Sequence, residues 1–116
     1  MKRILVVEDE PLIGLFLSEE LEAAGFAVVG PASCAWEGLD LLAGQGCDAA
    51  VLDINLGTES SEPIAQELLR REIPFVTLSG YSEMQQAPVF RGAPALAKPV
   101  VMERLIAQIH QLLPAA

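Results

Sequence analysis

The stretch that decides the fold is Ala49-Ala50-Val51-Leu52-Asp53-Ile54-Asn55. Four apolar residues run without polar alternation into an aspartate. A strand that is apolar on both sides is covered on both faces, as the central strands of a parallel sheet are. Two other runs read the same way. Ile4 to Val7 leads into Glu8-Asp9-Glu10, and Phe75 to Leu78 leads into Ser79-Gly80-Tyr81. Phe26 to Val29, ended by Gly30-Pro31, and Ala93 to Ala97, followed by Lys98-Pro99, are weaker runs of the kind found at sheet edges.

Helical spacing fills the intervals. Pro11 to Ala24 repeats apolar residues at Ile13, Leu17 and Leu21, and Gly25 stops it. A second helix begins after Ser33, with Trp36, Leu39 and Ala43 on one face and Gly44 and Gly46 at its end. A polar loop covers 55–60. Ser60 or Ser61 then caps a third helix with Pro63 in its first turn and Ile64, Leu68 and Leu69 facing inward. The last helix opens at Pro99 and turns Leu105, Ile109 and Leu112 to the core. Between Ser82 and Gly92, Pro88 interrupts any long helix. The expectation is one α/β domain, a doubly wound (βα)5 unit. Its parallel sheet has the flavodoxin-like order 2-1-3-4-5, and its fourth helix is short or irregular.

The whole chain supports this class. Its 116 residues suit one domain, and 52% of them are hydrophobic. Seven basic against sixteen acidic residues give a net charge of −9. That balance argues against nucleic-acid phosphates or an anionic membrane as partners and favours a cation. The apolar run after Met1-Lys2-Arg3 is too short for a signal peptide, so a cytoplasmic location is expected. Cys34 and Cys47 flank the second helix, which would hold them roughly 20 Å apart. A disulfide needs about 7 Å or less between Cα atoms, so both read as free thiols.

Ligands of open α/β sheets sit beyond the carboxyl ends of the central strands. There the sequence places Glu8 and Asp9, then Asp53, then Ser79, then Lys98. Taken singly, each has a plainer reading: an acidic helix cap, a loop-starting aspartate, a Ser-Gly turn, a charged boundary. Their coincidence at one end of one sheet points to chemistry. Three carboxylates together repel, and a divalent cation removes the conflict. Oxygen ligands with retained waters suit Mg²⁺ and leave room for a phosphoryl group. An aspartate can attack phosphorus, and a metal and a lysine neutralise the charge that develops. His110 reads as a surface histidine and Trp36 as core or half-core. Phe16 fits either the inner face or a partner patch.

These pieces resemble the receiver domain of two-component response regulators. The matching segments are Leu5-Val6-Val7-Glu8-Asp9-Glu10, Val51-Leu52-Asp53-Ile54-Asn55-Leu56-Gly57, Val76-Thr77-Leu78-Ser79-Gly80 and Lys98-Pro99. Together they span nearly the whole chain, which reads as a single receiver domain over 1–116. Receivers are themselves an example of the 2-1-3-4-5 order. The resemblance implies Asp53 as phosphoacceptor and Asp9 as a direct Mg²⁺ ligand. Glu8 would act through water, and the Asn55 backbone carbonyl would complete the protein's share. Ser79 would be the switch hydroxyl and Lys98 the partner of a phosphoryl oxygen. A cis peptide at Lys98-Pro99 is implied as well.

Two departures stand out. The aromatic that most receivers carry three residues before the lysine is Ala95 here, and the Ser79–Lys98 interval is short. Pro74-Phe75-Val76-Thr77-Leu78-Ser79-Gly80-Tyr81 is similar to the FAT GUY subgroup, though Leu78 stands where that subgroup prefers Ala. Tyr81 is therefore the candidate to replace the missing aromatic in coupling the switch.

The resemblance implies a signalling protein that takes a phosphoryl group from a histidine kinase or a histidine phosphotransfer protein. It would act on a downstream protein, as a monomer or a phosphorylation-dependent dimer. It would catalyse only its own phosphorylation and dephosphorylation. The competing readings are a small Mg²⁺-dependent phosphatase with Asp53 as nucleophile, and a receiver-like scaffold without phosphate turnover.

Overall fold

The computed structural model describes residues 1–80 and 87–113. The main sheet is built from β1 (Arg3–Val7), β2 (Ala27–Ala32), β3 (Ala49–Asp53), β6 (Phe75–Ser79) and β7 (Ala95–Ala97). All pairings in it are parallel, in the order β2-β1-β3-β6-β7. A separate hairpin joins β4 (Asn55–Leu56) to β5 (Glu59–Ser60). With that hairpin left out of the count, the order is the expected 2-1-3-4-5. The helices are α1 (Pro11–Ala23), α2 (Ala35–Gly44), α3 (Glu62–Arg70) and α4 (Met102–Leu112). Between β6 and β7 the described residues form only a 3-10 turn, Pro88–Phe90. Among the described residues no helix is long and apolar enough to cross a membrane.

Side chains alternate across a strand, and that alternation makes two cores. Leu5, Val7, Ala50 and Leu52 face one side and pack with Leu42, Ile64 and Leu68 of α2 and α3. Ile4, Val6, Val51, Val76 and Leu78 face the other and pack with Leu17, Leu21, Leu105 and Ile109 of α1 and α4. Every residue of β3 is buried, as the central-strand reading required.

Several local expectations need correction. Trp36 is 72% exposed and Ala43 is exposed, so of the three residues placed on one face of α2 only Leu39, half-buried, packs against the core. The inward face centres on Gly38 and Leu42. A Cβ at Gly38 would lie 2.5 Å from Ile64 Cδ1, so the glycine is what lets α3 approach α2. At the other end of this seam, Arg71 Nη1 donates to the Leu42 carbonyl at 3.2 Å. Leu69 is also exposed rather than inward. The second strand does not stop at Gly30-Pro31. It continues to Ala32, with its register to β1 shifting between Leu5↔Val29 and Val7↔Ala32. The segment 55–60 is a hairpin rather than a plain loop.

Cys34 and Cys47 are free, and burial pushes the Cys47 thiol up to about 11. His110 is exposed beside Phe26, with ring centroids 5.3 Å apart. Phe16 is 47% exposed, which settles it as a surface residue. Lys98-Pro99 is cis, as is Gly30-Pro31.

Candidate functional site

Strand alternation carries straight into the site. Val6, Val51 and Leu96 lie on the α1/α4 side of the sheet. Two residues further along each strand come Glu8, Asp53 and Lys98. The period of two therefore turns all three toward the same side, just past the last apolar row. The register brings the strand ends level. Val7 pairs with Leu52, Asp53 with Leu78, and Ser79 with Ala97. The Lys98 N–H extends the β6–β7 ladder by donating to the Ser79 carbonyl at 2.9 Å.

The charged groups meet as this geometry requires. Lys98 Nζ donates to Asp53 Oδ2 at 2.7 Å. It stands 3.2 Å from Glu8 Oε1, close enough for an ion pair. That approach does not make a hydrogen bond, and Glu8 Oε1 has no hydrogen-bond partner among the described residues. The other oxygen, Oε2, accepts from the Glu10 N–H at 3.2 Å. Asp53 Oδ1 accepts from the Asn55 N–H at 3.3 Å. Glu8, Asp9 and Asp53 each offer an oxygen, all within 4.8 Å of one another. Glu8 and Asp53 are 2% and 3% exposed, whereas Asp9 is half-buried.

Electrostatics follow from the crowding. Burial, chiefly, pushes the Glu8 carboxyl up to about 7, with the Asp53 charge adding to it and the Glu10 N–H opposing. Burial alone would lower the Lys98 ammonium, but the Asp53 and Glu8 carboxylates outweigh it and hold the group above its ordinary value. A single lysine thus serves two buried carboxylates and leaves one oxygen without a hydrogen bond. An orphaned buried carboxylate oxygen beside two further carboxylates fits a hard divalent cation with retained waters. The residues present therefore suit Mg²⁺, with the carboxylates of Glu8, Asp9 and Asp53 placed to hold it.

The remaining sequence candidates divide. Asn55 is exposed in β4, with its N–H on Asp53. Ser79 ends β6 one step beyond Leu78, the partner of Asp53. Among the described residues its hydroxyl makes no hydrogen bond to Asp53 or Lys98. Tyr81 lies outside the described residues, as do 82–86. Two residues near the site received no role from the sequence. Gly57, at φ +77°, sits where an added Cβ would lie 3.6 Å from Asp9 Oδ2. Glu59 Oε1 accepts from the Ala35 N–H at the start of α2. The Gly57-Thr58 pair between two short extended pairs is a hairpin signal that could have disclosed both. Beside the site, Ile13, Phe16, Leu17, Lys98, Pro99 and Val100 line a cavity of about 170 Å³.

The family model for the response regulator receiver domain matches residues 4–110. This chain belongs to the response-regulator receiver domain family. It is 30% identical over 113 residues to the transcriptional regulatory protein PdtaR of Mycobacterium tuberculosis. That match covers 94% of this chain and 55% of the relative, so the chain spans about half the length of PdtaR. The solution structure of SdrG from Sphingomonas melonis is 39% identical, with a TM-score of 0.82, covering 97% of this chain and 96% of SdrG. The Thermotoga maritima response regulator TrrA, solved in complex with Mg²⁺ and BeF, is 29% identical with a TM-score of 0.84. That comparison covers 97% of this chain and all of TrrA. Residues 4–110 thus form a receiver domain, a signalling module homologous to response regulators.

Proposed function

We propose that this receiver accepts a phosphoryl group on Asp53 from a phosphohistidine and signals by changing a binding surface. The contact of Lys98 Nζ with Asp53 Oδ2 at 2.7 Å carries the reading, because it joins nucleophile and charge-neutralising group in one buried pair. Mg²⁺, when bound, supplies the positive charge that the attacking carboxylate and the phosphoryl oxygens need. An Asp53 oxygen forms a bond to phosphorus while the bond to the donor's imidazole nitrogen breaks. The imidazole keeps that electron pair and takes a proton from water. Lys98, held beside Asp53, then has a phosphoryl oxygen within reach. Asp9, Asp53 and the Asn55 backbone carbonyl would hold the cation directly and Glu8 through water, and the Ser79 hydroxyl would turn toward the phosphoryl group.

The donor is a histidine kinase or a histidine phosphotransfer protein. Leu12, Leu15 and Phe16 are 81%, 54% and 47% exposed on α1, and Phe16 shares the cavity beside Lys98. Such an apolar surface next to the acceptor suits a docked protein better than a small donor. Within this reading the domain is cytoplasmic and catalyses only its own phosphorylation and dephosphorylation. It acts on a downstream protein as a monomer or a phosphorylation-dependent dimer. On motif grounds alone it belongs with the FAT GUY subgroup, and Tyr81 couples the switch in place of the aromatic that Ala95 lacks. A phosphatase is disfavoured, because no carboxylate stands two residues after Asp53; that position is Asn55.

Acetyl phosphate with Mg²⁺ tests the reading by intact mass. The wild type gains one base-labile phosphoryl group, and Asp53→Asn gains none. Steady phosphate release without a lasting adduct, or no change at all, overturns it.

A further inference from the structure

The β4–β5 hairpin has only two residue pairs, Asn55↔Ser60 and Leu56↔Glu59. A ladder that short does not hold itself together in water. Yet it borders the phosphoacceptor site at two places. Its Asn55 N–H donates to Asp53 Oδ1, and its Gly57 leaves free the space beside Asp9 where an added Cβ would lie 3.6 Å from Oδ2. Outside the ladder, Leu56 of the first strand is buried in the core and the Ser61 N–H closes the base by donating to the Ile54 carbonyl at 3.0 Å, which leaves the exposed second strand to be tied down. On that strand, Glu59 reaches across 24 positions of sequence to accept the Ala35 N–H at 2.5 Å. Ala35 is the first residue of α2, and the capping position before it, Cys34, makes no side-chain capping bond. First-turn N–H groups of a helix have no intrahelical acceptor and favour a carboxylate. Glu59 meets that need from another element and thereby anchors the hairpin.

We infer that Glu59 is a positioning residue for the metal and phosphoryl site: by tying the β4–β5 hairpin to the start of α2, it holds Asn55 against Asp53 and Gly57 beside Asp9. The inference rests on the phosphoacceptor reading above and adds a residue that touches neither metal nor phosphoryl group. It separates two roles for the same carboxylate. As a mere negative charge near the site, Glu59 would attract a cation from a distance. As an anchor, it needs only an acceptor oxygen at the right reach, which glutamine also has.

The test titrates Mg²⁺ alone into the full chain. The reporters are the emission of Trp36, the chain's one tryptophan and the neighbour of Ala35, and the amide shifts of Asn55 and Gly57. Glu59→Ala raises the half-saturating Mg²⁺ concentration roughly threefold to tenfold, the loosening expected when a helix-start acceptor is lost. It also speeds hydrogen exchange at the Ala35 amide. Glu59→Gln restores both toward wild type. Because Glu59 is exposed, both variants retain the fold, which thermal melts verify. Equal weakening in Glu59→Ala and Glu59→Gln shows a charge effect and overturns the inference. So does an unchanged half-saturation in Glu59→Ala while the wild type responds to Mg²⁺. A wild type that shows no Mg²⁺ response overturns the phosphoacceptor reading itself, and the inference with it.

Discussion

β3 and β7 are parallel strands of one sheet, yet they are built to opposite standards. All five residues of β3 are buried, and its neighbours β1 and β6 are almost as enclosed. β7 has three residues, two of them exposed, and only a 3-10 turn is described before it. The difference teaches where the domain keeps its stability. The β1–β3–β6 centre presents the carboxylates from a rigid, doubly covered platform. The β7 edge supplies Lys98 from a thin margin, so that the cation of the site is delivered by the less constrained half.

Hydrogen exchange is the strongest way to break this comparison. Amides of β1 and β3 should exchange at least about a hundredfold more slowly than those of 87–97, because central strands open only with the whole domain. Equal protection in the two regions would erase the distinction.

Side-chain truncation sharpens it. Leu52→Ala, at a fully buried position of β3, should destabilise by about 3–5 kcal/mol. Leu96→Ala, at a half-buried position of β7, should cost about 1 kcal/mol. Urea titration of both variants measures the contrast. Similar losses would mean that the edge is packed as tightly as the centre.

Acidity provides the smallest of the three effects. In the metal-free protein the Glu8 carboxyl sits at about 7, against 4.5 for a free side chain. The folded state therefore holds that proton more tightly than the unfolded chain. The stabilisation is complete below about pH 4.5 and is lost as pH rises through about 7. Metal-free protein should melt at a lower temperature near pH 8 than at about pH 5.5. Glu8→Gln should flatten much of that slope. A slope unchanged by the substitution would assign it to the general repulsion of a −9 chain.

How much was legible in the sequence follows from the same contrast. The central strands announce themselves, because burial on both faces leaves an unbroken apolar run. The ends of those runs then locate Glu8 and Asp53, and the weaker edge run ends in Lys98, since pleat and register decide where all three point. The α2 face was misread for a physical reason. Trp36, Leu39 and Ala43 have helical spacing, but of these only Leu39 packs on the core; the buried face centres on Leu42 and on Gly38, and a glycine carries no hydrophobic signal. Leu69 misled in the same way, being apolar yet 53% exposed. The hairpin stayed hidden because two residues per strand are too few to show a period. Its anchor joins Glu59 to a backbone N–H, a partner that has no letter in the sequence.

The seam between α2 and α3 is held at two separated points, Gly38 on Ile64 near one end and Arg71 on the Leu42 carbonyl near the other. Two rods pinned at two points cannot pivot about either one. They translate together or stay put, as a single plate. A displacement that entered at the hairpin, through the start of α2, would meet α3 at both contacts, and Trp36 stands on the outer surface of that helix pair.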